Sequence, residues 1–314
     1  MLVEPKFKIS VMTPCYNEEE NVELLYEKVK NEFNDLKKYD YEHIFIDNAS
    51  TDNTVNILKK IAAIDKNLKI IVNSRNFGHI RSPYYGLLQG SGDAVIYLAS
   101  DFQDPPEMIK DFISKWKDGY KIVLGVKSQS KESKFMFAIR KLFYNLIGAI
   151  SEIDQIKNFT AFGLYDKKII GILRGIDDPY PYLRGLICDI GFEKHIIEFT
   201  QPARQRGKTK NNFYTLYDMA MLGITNYSKV PLRLATILGF LVALGSFLVA
   251  IVYLLYKIIF WKNFSVGTAP IVIGLFFFSA VQLFFIGIIG EYIGSIHTQV
   301  LKRPLVIEKE RINF

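Results

Sequence analysis

The sequence predicts an α/β domain with a mostly parallel sheet and helices on both faces, followed by two membrane-spanning helices. Three observations predict it. Short apolar runs alternate with charged, amphipathic stretches through the first two-thirds of the chain, which is the pattern of βαβ units. An acidic loop, Asp101-Phe102-Gln103-Asp104-Pro105-Pro106-Glu107, follows the apolar run Ala94–Ala99, so carboxylates stand where a strand ends. Two uncharged runs, Leu234–Tyr256 and Asn263–Gly290, contain 23 and 28 residues. Each exceeds the roughly 18 to 20 residues that cross a bilayer as a helix.

The elements follow in order. Lys8–Thr13 reads as the first strand and Glu18–Leu36 as a charged amphipathic helix. His43–Ile46 is a second strand ending at Asp47, and Ser50-Thr51-Asp52-Asn53-Thr54 opens the next helix, with Thr51 or Asp52 as its cap. Leu68–Val72 is a third strand, Ile80–Leu88 a third helix, Ala94–Ala99 a fourth strand and Lys121–Val126 a fifth. No G-x-G-x-x-G follows the first strand, which removes the main support for a dinucleotide-binding fold. Lys134–Ile150 is a helix rich in large apolar residues, open to two readings: core packing or a position beside lipid. Phe213–Tyr227 mixes Tyr, Phe and Met with few charges just before the first span, as an interfacial helix does.

The acidic loop also has two readings. Asp104 can cap a helix that begins with proline. Alternatively, hard oxygen donors on a short loop suit Mg²⁺ or Mn²⁺ holding a phosphate. Lys and Arg number 39 against 32 Asp and Glu, a net charge of +7. Part of the excess, Arg204, Arg206, Lys208, Lys210, Lys229 and Arg233, lies beside the first span, where anionic headgroups attract it. No nucleic-acid motif accompanies the charge, so a nucleic-acid partner is not expected. Cys15 and Cys188 are too few for a disulfide framework and read as buried thiols, and the four histidines form no cluster. Met1–Lys8 lacks a signal-peptide core, and Lys302, Arg303, Lys309 and Arg311 follow the second span. Both features predict a soluble domain and a C-terminal tail on the cytoplasmic side. Gly239, Gly245, Gly287, Gly290 and Gly294 allow close helix packing in the spans, which is compatible with a homo-oligomer.

The chain resembles the family 2 glycosyltransferases of GT-A fold, and within them the polyprenyl-phosphate glycosyltransferases. This group includes dolichyl-phosphate mannose synthases and bactoprenol glucosyltransferases. The resemblance rests on Pro14-Cys15-Tyr16-Asn17-Glu18-Glu19, Ile46 to Thr54, Arg75-Asn76-Phe77-Gly78, Asp101 to Glu107, and Arg204 to Lys210, followed by Pro231-Leu232-Arg233 and the two spans. It implies that Pro14, Tyr16, Glu18, Asp47 and Arg75 bind the nucleotide, and that Asp101 and Gln103 ligate a divalent metal on the donor diphosphate. It further implies that Arg204 and Lys210 hold the acceptor phosphate or the donor diphosphate; a membrane-surface role is the other reading of these two.

Two positions depart from the family pattern. Where the family has the first Asp of Asp-x-Asp, this chain has Ala99. Where it has Gly-Asp-Phe-Arg-Leu, with the aspartate taken as catalytic base, this chain has Thr160-Ala161-Phe162-Gly163-Leu164. The base position is therefore Ala161, and Asp154 and Asp189 are the nearby acidic candidates. The acceptor is a phosphate monoester with a second pKa of about 6, largely dianionic at neutral pH, so positioning and charge neutralisation can replace proton abstraction.

The expected organisation is a cytoplasmic GT-A domain over 1–211, an interfacial region over 212–230, two spans within 231–300 (about 234–258 and 268–295) and a cytoplasmic tail over 301–314. The expected activity is inverting transfer of one sugar from a nucleotide sugar, a UDP-hexose such as UDP-glucose, to polyprenyl phosphate at the cytoplasmic leaflet. Two alternatives stand beside it. One is a processive polysaccharide synthase, whose Gln-x-x-Arg-Trp motif is approached by Gln201-Pro202-Ala203-Arg204-Gln205. The other is a non-catalytic membrane protein on a degenerate glycosyltransferase fold, motivated by Ala99 and Ala161.

Overall fold

The computed structural model describes residues 6–129, 156–202, 213–260 and 268–314. The apolar runs form strands β1 (Phe7–Cys15), β2 (Tyr39–Asp47), β3 (Leu68–Asn73), β4 (Ala94–Tyr97) and β5 (Ile122–Gln129). Three more follow: β6 (Phe159–Asp166), β7 (Lys194–Thr200) and β8 (Glu308–Ile312). Between them lie α1 (Val22–Asp35), α2 (Thr54–Ile64), α3 (Gly78–Leu88), α4 (Ile109–Lys117), α5 (Lys167–Arg174) and α6 (Leu183–Asp189). The eight strands form one sheet in the order β7-β5-β6-β4-β1-β2-β3-β8.

The central quartet β4-β1-β2-β3 is parallel, in register from Ile9↔Ala94 through Phe7↔Tyr39 to His43↔Leu68. All four carboxyl ends therefore reach the same edge of the sheet. β6 enters antiparallel to both β4 and β5, and β8 lies antiparallel to β3. Apolar side chains on the two sheet faces feed two cores. One holds Ile9, Val11, Leu25, Phe45, Ile96 and Phe112, and the other Met12, Ile44, Ile46, Tyr84, Leu124 and Tyr165.

The C-terminal residues differ from the expected tail. Glu308–Ile312 alternate half-buried and exposed, as an edge strand does, and Val306 before them is buried. Their pairing covers the backbone groups that β3 would otherwise expose. The charged composition of this stretch hides a strand from periodicity alone, because Lys309 and Arg311 face outward while the backbone supplies the pairing.

The amino edge of the quartet is tied by one buried carboxylate. Glu42 of β2 takes ion pairs from Lys8 of β1 and Lys69 of β3, each at 2.7 Å. It also accepts from the Ser10 hydroxyl at 2.6 Å and from the Ser91 backbone N–H at 2.7 Å. Burial alone would raise its pKa. The bonds from Lys69, Lys8, Ser10 and Ser91 overrule burial and hold it at about 2.

The chain divides into two compact units. One holds the sheet and includes Thr298–Phe314; the other includes Tyr214–His297. In the second, α7 (Phe213–Tyr227) occupies the stretch expected to be interfacial. α8 (Val230–Ile259) contains the first uncharged run, and α9 (Thr268–Leu301) contains the second from Thr268 onward. Val230–Ile259 and Ile273–Leu301 are long and apolar enough to cross a membrane, and none of their most apolar stretch is buried by protein. Tyr217 of α7 donates to Glu291 at 3.0 Å, and Asn226 accepts from Ser295 at 3.3 Å. The two α7 residues are separated by about 13 Å of helix rise and their α9 partners by about 6 Å. α7 therefore crosses α9 rather than running along it.

The Glu42 node predicts an acid-sensitive fold. A carboxylate whose pKa is depressed by folding stabilises the protein above its unfolded pKa, about 4.5. That contribution is lost as pH falls through about 2. Melting temperature against pH is expected to drop between these limits in the native protein, and Glu42→Gln should start lower and flatten this part of the curve.

Candidate active site

Four loops leave the carboxyl edge of the quartet, and side chains bind the first three to one another. After β1, Asn17 turns the chain with φ 54°, and its side-chain oxygen accepts from the Thr51 N–H at 2.7 Å. In return the Asn17 N–H donates to Ser50 Oγ at 2.8 Å, and the Glu18 N–H donates to Thr54 Oγ1 at 2.9 Å. The Asn53 N–H donates to Glu19 Oε2 at 2.9 Å. Pro14, Tyr16 and Glu18 are each half-buried on this loop, and Glu18 accepts from the Asn21 amide at 2.6 Å.

Asp47 ends β2 fully buried. Its carboxylate takes both the N–H and the hydroxyl of Ser50, the former at 2.9 Å. Burial pushes its pKa up, and the Ser50 bonds oppose that push. Cys15 lies against it, with Sγ 3.9 Å from Asp47 Oδ1, and burial and the Asp47 charge hold the thiol protonated. Cys188, expected to be buried, is half-buried instead. The helix cap expected at Thr51 or Asp52 falls on Asn53, which makes no side-chain cap bond. Asp52 nevertheless satisfies the Thr54 N–H at 3.0 Å, because its carboxylate folds forward over the first turn.

Asn48 joins the β2 loop to the β3 loop. Its amide nitrogen donates to Asn76 Oδ1 at 2.9 Å and to the Gly78 carbonyl at 3.1 Å. Its oxygen accepts from the Phe77 N–H at 2.8 Å and from Asn73 Nδ2 at 3.2 Å. Its own N–H donates to the Cys15 carbonyl at 2.9 Å. Arg75 is exposed on the β3 loop, its guanidinium 4.1 Å from the Phe77 ring centroid. Motif comparison singles out Arg75 and not Asn48, although a buried amide directly after an apolar strand is itself a sign of a bonded node.

The β4 loop is held to β1 by the Leu98 N–H on the Met12 carbonyl at 2.9 Å. Asp101 and Gln103 are both half-buried, and the Gln103 N–H donates to Asp101 Oδ1 at 3.2 Å. Phe102 between them takes φ 58° and buries its ring. Asp104 does not cap the following helix. The 3₁₀ turn at Pro106–Met108 is preceded by Pro105, with no side-chain cap bond. The left-handed turn at Phe102 instead sends Asp104 inward, where its carboxylate accepts from the Ala99 N–H at 3.3 Å. Burial pushes the Asp104 pKa up to about 7, Lys127 opposing and Asp101 adding to the rise.

Among the described residues, no group of three or more His, Cys, Asp or Glu is placed to hold a metal. The donor set at the β4 loop, one carboxylate and one amide, is not a complete protein cage. It fits a hard ion that arrives with phosphate oxygens, since Mg²⁺ binds through one or two carboxylates plus substrate phosphates.

Ala161 sits in β6 at φ 75°, where the β5–β6 register shifts between Leu124 and Val126. It is buried, and Tyr165 donates to its carbonyl at 2.7 Å. At Gly163 an added Cβ would lie 2.4 Å from the Val123 carbonyl, so this backbone excludes any side chain there. Asp189 is exposed at the end of α6, shortly before Lys194, which pairs with Ile122 at the start of β5. That places Asp189 toward the opposite edge of the sheet. Asp154, Arg204, Lys210 and the stretch Lys134–Ile150 lie outside the described residues.

The arrangement defines a class: an α/β domain whose ligand edge carries hard oxygen donors on the carboxyl ends of parallel strands, in a chain that also carries two apolar helices of membrane length. The chain belongs to glycosyl transferase family 2, whose model matches residues 10–173, and residues 230–296 match the GtrB C-terminal hairpin. The uncharacterized glycosyltransferase YkcC of Bacillus subtilis (strain 168) is 34% identical over 299 residues, 95% of this chain and 92% of that protein. The SfII prophage-derived bactoprenol glucosyl transferase of Shigella flexneri is 33% identical over 304 residues, 96% of this chain and 98% of the other. The prophage bactoprenol glucosyl transferase homolog of Escherichia coli (strain K12) is also 33% identical, with the same coverage. Among solved structures, glucosyl-3-phosphoglycerate synthase from Mycobacterium tuberculosis aligns with TM-score 0.48 at 18% identity, over 70% of this chain and 76% of that one.

Asn48 predicts a stability effect at the site. Asn48→Ala leaves the buried Phe77 N–H without its acceptor, at a cost of about 1–3 kcal/mol, and removes one bond each from Asn73 and Asn76, which keep Ser82 Oγ and the Gly78 N–H as partners. A thermal melt of the full-length protein should show a fall of a few degrees, and Asn48→Asp should not restore it, because a buried carboxylate would set an acceptor oxygen against Asn76 Oδ1 and the Gly78 carbonyl.

Proposed function

We propose that this protein transfers a single hexose from a nucleotide sugar, UDP-glucose being the first to test, to a polyprenyl phosphate at the cytoplasmic face of a membrane. One observation carries the reading: the Asp101–Gln103 loop stands on the same sheet edge as Asp47 and the β1 loop, in a chain with a GtrB-type C-terminal hairpin. Two relatives that share nearly the full length are, by name, a bactoprenol glucosyl transferase and a homolog of one.

Pro14, Tyr16, Glu18 and Asp47 would hold the nucleoside, with Arg75 on the adjoining loop. Asp101 and Gln103 would hold Mg²⁺ or Mn²⁺ together with the donor diphosphate, and the bound ion supplies Lewis-acid charge to the departing group. Arg204 and Lys210 would bind acceptor phosphate oxygens. An acceptor phosphate oxygen forms a bond to the anomeric carbon from the face opposite the diphosphate. The anomeric C–O bond to the diphosphate breaks, its electron pair leaves on the diphosphate oxygen, and the configuration inverts. Ala161 offers no base, and the acceptor needs none, because a phosphate monoester at neutral pH has already lost the proton a sugar hydroxyl would keep. The crossing of α7 over α9 supports an interfacial place for α7 if α9 spans the bilayer.

The test is turnover by full-length protein in detergent with a panel of nucleotide sugars, a short polyprenyl phosphate and Mg²⁺ or Mn²⁺. A one-sugar lipid is expected. A polymer would identify a processive synthase, and no product from folded protein with any donor would overturn the enzymatic reading. Asp101→Ala is expected to lower turnover by at least about a hundredfold, the scale of losing a key electrostatic contact. Unchanged metal-dependent turnover in that variant would remove Asp101 from the metal site.

A further inference from the structure

Three arginines meet where the C-terminal segment passes the β3 loop. The Ser74 N–H donates to the Ile307 carbonyl at 2.9 Å, which seats the segment on the loop. Arg81 on the first turn of α3 donates to the carbonyl of Pro304, the neighbour of Arg303. Phe77 is buried between two guanidiniums, that of Arg75 at 4.1 Å and that of Arg81 at 5.5 Å from its ring centroid. Arg75 donates only to the Asn76 carbonyl, at 3.0 Å. Among the described residues, none of the three arginines has a carboxylate partner.

This is a costly arrangement for an empty surface. Like charges gathered without counter-charge repel. Burial and the Arg75 charge pull the Arg81 pKa down, Arg303 adds to the fall, and Tyr180 opposes it. Arg81 Nε is buried without an acceptor among the described residues. The start of α3 lies beside this group, with the Phe77 and Gly78 N–H groups already held by Asn48 and Asn76 and with space next to Gly78. Gly78 holds φ +85°, and a Cβ built there would meet nothing within 4 Å. Guanidiniums that meet carbonyls but no carboxylate favour an oxyanion with several acceptor oxygens.

We propose that Arg81 and Arg303, with Arg75 at their edge, bind a phosphate group beside the start of α3. Because Arg303 reaches this place only through the C-terminal segment, a bound phosphate ties that segment to the β3 loop. The site does not depend on sugar transfer, and its test reads binding instead of turnover. A phosphate can arrive free in solution or on a phospholipid headgroup, and the test separates the two.

Full-length protein in phosphatidylcholine nanodiscs is titrated with inorganic pyrophosphate, and its melting temperature is followed when phosphatidylglycerol replaces part of the lipid. Native protein should respond to at least one probe. Arg303→Gln and Arg81→Gln should each weaken that response about tenfold, the effect of losing one charge-assisted contact. The Arg303 side chain is exposed and holds no described bond, so this variant keeps the test open if Arg81→Gln fails to fold. A response confined to pyrophosphate assigns a free phosphate, and one confined to phosphatidylglycerol assigns a headgroup. No response in native protein, or responses unchanged in the folded variants, overturns the site.

Discussion

The ligand edge depends on the buried amide of Asn48. Four parallel strands deliver four loops to one edge, but parallel pairing ends with the strands and does not order the loops beyond them. Asn48 meets this need between the β2 and β3 loops with one side chain, bonding the Phe77 N–H, Asn73, Asn76 and the Gly78 carbonyl. An amide suits the position because it presents donors and an acceptor together, where a carboxylate would present acceptors alone. Asn17 and Asp47 extend the same logic toward the β1 loop. Left-handed backbone at Asn17, Ala49 and Phe102 marks where three of the loops reverse. Such strain is held by surrounding bonds and gathers at ligand sites.

Much of this is legible in the sequence because its signals are local. Alternating apolar and charged runs mark β1 to β5 and α1 to α3 within a few residues of their bounds, and uncharged runs mark α8 and α9. Strand reversal is not legible, since β6 has the same apolar pattern whether it enters parallel or antiparallel. β8 escapes notice because its pairing is made by backbone atoms while its side chains read as a charged tail. Motif order locates the loops carrying Pro14, Asp47, Arg75 and Asp101. Asp104 misleads, because a proline pair after an aspartate looks like a helix start. The left-handed turn at Phe102, which sends that carboxylate inward, leaves no mark in the residue types.

The two ends of the sheet solve opposite electrostatic problems. At the amino edge Glu42 is saturated by Lys8 and Lys69 and by two serines, so charge is internally balanced and serves the fold. At the carboxyl edge balance is left incomplete. Asp101 and Gln103 offer oxygen donors on one side, and on the other Arg75, Arg81 and Arg303 have no carboxylate partner among the described residues. A ligand edge must keep unfinished charge if its ligands are to finish it, and stability at such an edge comes from neutral amides and hydroxyls such as Asn48, Asn17 and Ser50.

This view bears on the two alanines that depart from the family pattern. Ala99 and Ala161 each remove an acid from the neighbourhood of the β4 loop, and neither is replaced nearby by another exposed carboxylate among the described residues: Asp104 turns inward and Asp189 stands toward the far edge. The two phosphorylated substrates of the proposed function would gain from fewer negative charges, because each carboxylate repels the oxyanions it faces unless a cation lies between. An acid at position 161 would be needed only for an acceptor that must lose a proton. The backbone agrees with its loss, since Ala161 is buried in a left-handed kink and Gly163 is pressed against Val123. On the proposed function, loss of acid at both positions is adaptation to an ionised acceptor and not decay of the site.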